Sequence, residues 1–106
     1  MDEKAAAHFD TSVSQNGDDA NFLNTLCWRV AVENRIEKLY PGAIAAARRA
    51  LELNRHPAIL DTLAWLYALS GDYESALETI GEAMSLDPDN KGYEETRARI
   101  TEMQTG

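Results

Sequence analysis

Between residues 57 and 90, large and small apolar side chains alternate at helical spacing, and this constrains the 106-residue chain more than any other feature. Leu60, Leu63, Ala64 and Tyr67 fall at i, i+3, i+4 and i+7, which is one face of a helix. After Gly71-Asp72, a second run places Ala76, Ile80 and Ala83 at i, i+4 and i+7. Two helices that cross closely need small residues at the crossings and large ones between them. Ala64, Ala76 and Ala83 suit the crossings; Leu60, Leu63, Tyr67, Leu77, Ile80 and Leu86 suit the gaps. Gly71 accepts backbone angles that other residues resist, so it divides the helices. Pro88 disfavours helix at Asp87 and closes the second one. The segment predicts an antiparallel helical hairpin.

The spacing resembles one unit of the tetratricopeptide repeat family, W-x2-L-G-x2-Y…A-x3-F…P. Leu60 stands for the Trp, Ala64 for the Gly and Ile80 for the Phe, while Leu63, Tyr67, Ala76 and Pro88 keep the pattern's residue types, and Ala83 adds a further small residue at helical spacing. A weaker copy lies upstream, over about residues 24–56. Ala43 and Ala50 precede Ala76 and Ala83 by 33 residues (76−43 and 83−50), close to the family's period of about 34. By the same offset Cys27, Val30, Ala31 and Asn34 match Leu60, Leu63, Ala64 and Tyr67. This copy departs from the pattern: Lys38 stands at the place of Gly71, and Asn34 is polar where Tyr67 is aromatic. Its hairpin turn, around Leu39-Tyr40-Pro41-Gly42, is expected to differ.

The fold expected is all-α: two antiparallel helix-turn-helix repeats stacked as a short right-handed α-solenoid, closed by a C-terminal capping helix. Helices are expected over about residues 20–37, 41–54, 57–70, 73–86 and 91–103. Asp89-Asn90 can cap the last by accepting first-turn N–H bonds. Its sparse apolar residues, Tyr93, Ile100 and Met103, suit a helix that covers the open end of a stack. Residues 1–19 read as a flexible acidic tail, with a short helix over 3–9 as an option. Its Ser/Asn/Gly/Asp stretch has too little apolar content to pack. Residues 20–106 form the helical domain.

Composition narrows the class of activity. A net charge of −8 disfavours nucleic acid, whose phosphates need a basic surface. Long apolar runs and a basic-then-apolar leader are absent, so no membrane span or secretory signal is expected, and a cytoplasmic home is. The single cysteine, Cys27, falls at a packing position and reads as a small buried hydrophobe. Asp87-x-Asp89-x-Lys91-Gly92 resembles a calcium loop only briefly, because Lys91 brings positive charge to a ligand position and Ala98 stands where a bidentate Glu is needed. No nucleophile–base pair, phosphate loop or metal-ligand spacing appears, so neither enzymatic chemistry nor a metal or cofactor is expected.

What remains is surface. In tetratricopeptide proteins the first helix of each hairpin lines a concave groove that takes a peptide or helix. Carried over by position, that face holds Thr25, Trp28, Val32, Arg35 and Ile36 in the first repeat, and Ala58, Asp61, Trp65, Ala68 and Leu69 in the second. The partner-binding residues expected are Trp28, Val32, Arg35, Asp61, Trp65, Ala68 and Leu69. The resemblance thus implies a non-catalytic adaptor or scaffold for a protein or peptide. Two rival expectations are an oligomerisation unit, with a weak homodimer through the tryptophan face, and an accessory domain of a larger enzyme. Charge is divided along the chain. From Pro57 onward ten acids face only Lys91, Arg97 and Arg99, whereas the first repeat carries Arg29, Arg35, Lys38, Arg48, Arg49 and Arg55.

Overall fold

A computed structural model of the chain describes residues 20–31 and 37–105. The expectations for the tail, residues 1–19, lie outside them, as do those for Val32 and Arg35. The described residues form five α-helices: α1 (Ala20–Arg29), α2 (Tyr40–Leu53), α3 (Pro57–Leu69), α4 (Tyr73–Leu86) and α5 (Lys91–Thr105). Together they make an all-α helical repeat arrangement. α1 pairs with α2 and α3 with α4, while α3 also packs on α1, α2 and α5. So α1, α3 and α5 lie in a row, with α2 and α4 behind them.

The crossing residues sit where the size pattern puts them. Ala43, Ala47, Ala50, Ala64, Ala76, Ile80 and Ala83 are all wholly buried. The Cys27 thiol donates to the Ala43 carbonyl at 3.1 Å, tying α1 to α2. Burial pushes that thiol up to about 12, so it stays protonated and unreactive, a packing residue.

The α3–α4 turn is a Schellman termination, with Gly71 in the αL conformation. The Asp72 N–H reaches the Tyr67 carbonyl at 2.9 Å, and the Gly71 N–H reaches Ala68 at 3.0 Å. Gly71 carries the positive φ, +90°, that this geometry requires. A Cβ there would meet nothing within 4 Å. Gly71→Ala is therefore expected to cost about 1–2 kcal/mol through backbone strain alone. Chemical denaturation reads this; an unchanged midpoint would show that the turn relaxes freely. Asp72 then starts α4, its carboxylate accepting the Ser75 N–H at 3.2 Å.

Two expectations are corrected. The first helix was expected to run to about residue 37. Instead α1 ends at Arg29, the backbone widens into a π-helical turn at Val30 and Ala31, and a 3-10 turn over Glu37–Leu39 leads into α2. Leu86 was expected to fill the core but is 53% exposed, and Leu53, 33 residues earlier (86−53), is also exposed. Each is the last residue of its helix.

α5 does more than cover an end. It repeats the stack-facing half of α3, 34 residues on. Ile59, Thr62 and Leu66 are buried in α3, and Tyr93, Thr96 and Ile100 are buried in α5 (93−59, 96−62 and 100−66). Thr62 and Thr96 each donate to the carbonyl four residues back, Ala58 and Gly92, at 3.1 Å. Even the caps correspond. His56 Nδ1 accepts the Ala58 N–H at 3.0 Å, and Asn90 Oδ1 accepts the Gly92 N–H at 2.9 Å. The hairpin-facing half is not repeated. Where α3 buries Leu60, Leu63 and Ala64, α5 exposes Glu94, Arg97 and Ala98. α5 thus resembles the first helix of a further repeat, with its hairpin-facing side exposed.

Candidate functional site

The shared register of α3 and α5 sets three levels along one face. By that offset Asp61 corresponds to Glu95 (95−61), Trp65 to Arg99 (99−65), and Leu69 to Met103 (103−69), each 34 residues apart. Trp65, Leu69 and Met103 wall a hollow of about 420 Å3, and Arg99 and Glu102 form its rim. The three apolar residues are half-buried and pack on the core from one side. Arg99 and Glu102 are exposed and make no ion pair among the described residues.

One level away the chemistry changes. Asp61 is half-buried, and its Oδ1 is sealed from water without a hydrogen-bond partner. Burial raises its carboxyl above the usual 3.8, and the neighbouring Thr96 hydroxyl only partly offsets this. That hydroxyl is already committed to Gly92. Burial also raises the Tyr93 phenol, with the negative charges of Asp61 and Asp87 adding to it.

This burial carries a pH signature. A carboxyl raised in the fold favours its protonated form there. Its contribution to stability is full below the unfolded value near 3.8 and is lost as pH rises through the folded value. At neutral pH the ionised Asp61 therefore costs stability. Asp61→Asn is expected to stabilise the chain at pH 7 by on the order of 1 kcal/mol, with the gain shrinking as pH falls toward 4. Thermal midpoints of the two proteins across that range check this. A gain that grows on acidification would contradict it. Glu82 titrates with the opposite sign, its carboxyl lowered by Arg55, but that contribution is common to both proteins and cancels.

The other expected site residues divide. Trp28, on α1, is 38% exposed and stands apart from the hollow. Ala68 was expected on the binding face, but it is 1% exposed. Its methyl group, flanked by the longer Trp65 and Leu69, does not reach the surface. Sequence reasoning missed Glu95, Arg99, Glu102 and Met103. Their signal was the 34-residue offset from Asp61, Trp65, Ala68 and Leu69, which α5's polar composition obscured.

A second concavity, of about 310 Å3, lies between α2 and α4. Its floor is Leu60, Leu63 and Tyr67, where the repeat pattern would place a Trp at position 60. Arg55 bridges it by a two-pronged ion pair to Glu82, at 2.5 and 2.6 Å. That pair ties the α2–α3 loop to α4, so the cleft reads as a clasped seam. Among the described residues no three His, Cys, Asp or Glu side chains gather as a metal site. No described helix is long and apolar enough to cross a membrane.

Residues 57–90 match the family model described as tetratricopeptide repeat. The match spans α3, the Gly71 turn, α4 and Pro88. Nothing among curated proteins or solved structures matches the chain. Tetratricopeptide repeats are as a rule protein-interaction modules without chemistry of their own.

Proposed function

We propose that this chain is a non-catalytic interaction module that takes a short segment of another protein along the face shared by α1, α3 and α5. The hollow walled by Trp65, Leu69 and Met103 carries the reading. These are large side chains held half-buried by the core, so they offer contact area at little further loss of rotamer freedom. Arg99 and Glu102 at the rim add orientation more than affinity. Trp28 would extend the face toward the N-terminal repeat.

The test is retention of a protein partner by wild type beside Trp65→Ala, with folding of the variant verified first. Loss of a true anchor weakens binding by about 2 kcal/mol or more. Trp65→Ala also removes packing from the core edge, so a second variant is needed. The double charge reversal Arg99→Glu with Glu102→Arg alters only exposed side chains. The reading expects both variants to fold, Trp65→Ala to lose the partner and the charge reversal to weaken its binding. A partner retained equally by both variants would place the binding surface elsewhere.

A further inference from the structure

We infer that this face also meets itself: two copies of the chain pair about a two-fold axis with their α5 helices antiparallel, Arg99 of each opposite Glu102 of the other, and the two Trp65–Leu69–Met103 hollows laid together. The inference goes beyond the interaction reading. It makes a second copy of the chain a competitor for any segment held on the same face.

Three observations carry it. First, Arg99 and Glu102 are exposed and three residues apart on one helix, yet neither makes an ion pair among the described residues. They bracket one turn of α5 with opposite charge. In a two-fold contact, residue i of one copy meets residue j of the other while j meets i. A cation and an anion so placed are therefore complementary to their own copy. Second, the pair rims an apolar hollow. Trp65, Leu69 and Met103 are large, half-buried side chains beside the two charges, so the same axis that joins the rims faces one hollow to the other. An aromatic anchor within a polar rim is the usual anatomy of a contact.

Third, the register is free of like-charge clashes. An axis crossing α5 between Ile100 and Thr101 sets Met103 at the height of the exposed Ala98 and Arg97 at the height of Gln104. Glu94 and Glu95 fall beyond Thr105, the last residue of the other α5. A parallel pairing would set Arg99 against Arg99 and Glu102 against Glu102, so charge selects the antiparallel one. The contact is small and each copy carries a net charge of −8, which opposes association. The dimer is accordingly weak, forming at about 0.1–1 mM chain.

Sedimentation equilibrium of the full chain up to about 1 mM tests this, with folding of each variant verified by circular dichroism. Wild type is expected to move from monomer toward dimer across that range. Arg99→Glu alone and Glu102→Arg alone each weaken association by about tenfold or more, because a two-fold contact counts every substitution twice. The double variant, Arg99→Glu with Glu102→Arg, recovers the wild-type constant, since the two charges have only changed places. An equimolar mixture of the two single variants also pairs more tightly than either does alone. A wild type that stays monomeric up to that concentration overturns the inference, as does a double variant that associates no better than the single ones. Neither result touches the interaction reading, under which the same double variant binds its partner more weakly rather than as wild type does.

Discussion

Ile80→Ala is expected to destabilise the chain by about 2–5 kcal/mol, the range for truncating a large aliphatic side chain in a packed core. Ile80 is wholly buried at the centre of α4, between the buried Ala76 and Ala83 of the same helix. Those alanines bring the backbones close, so the hairpin cannot collapse further to fill the space left behind. The cost should therefore lie toward the upper end. Leu86→Ala is the control. It removes an aliphatic of similar size from the same helix, but at a residue 53% exposed. A change within about 0.5 kcal/mol is expected there. Urea unfolding separates the two: the midpoint falls for Ile80→Ala with the slope unchanged, and barely moves for Leu86→Ala. Equal losses at the two positions would mean that the burial pattern of α4 has been misread.

The contrast between these leucine-sized positions shows what the sequence could and could not convey. The 57–90 hairpin was legible because its information is local. Small and large residues recur at fixed spacing, and Gly71 and Pro88 mark the breaks, so both helices fall within a residue of their expected bounds. Leu86 was misread because periodicity says which side of a helix a residue faces, not whether the helix still has a neighbour there. The end of α1 was misread for a related reason. No Gly or Pro between Arg29 and Leu39 marks the wider turn at Val30 and Ala31 in the sequence. At the candidate site, Trp65 and Leu69 were legible as one helix face. Ala68 was placed on the same face by angle, but angle ignores side-chain length. The orphaned oxygen of Asp61 was not legible, because it is made by α5 covering α3, a contact between residues about 35 apart in sequence (96−61).

Ile100→Ala is expected to cost a similar 2–5 kcal/mol, but with its effect concentrated on α5. Ile100 is wholly buried, and α5 has only Tyr93 and Thr96 buried beside it, with Met103 partly so. The helix docks on α3 and α4 through this one stripe, and its opposite face is polar and exposed. Removing the central side chain takes a large share of the docking energy while leaving the α3–α4 hairpin with its own core. α5 should therefore open before the rest unfolds. Amide exchange is the measurement. Protection across Lys91–Thr105 should fall toward that of a frayed end, while protection in α3 and α4 falls less. Arg97→Gln, a change at an exposed residue of α5, should leave exchange as in wild type. Opening of α5 would also carry off Arg99, Glu102 and Met103, half of the hollow beside Trp65, so segment binding should weaken even though Trp65 is untouched. If Ile100→Ala instead lowers protection uniformly across all five helices, α5 is an integral part of one cooperative core, and the groove between α3 and α5 is as rigid as the hairpin behind it.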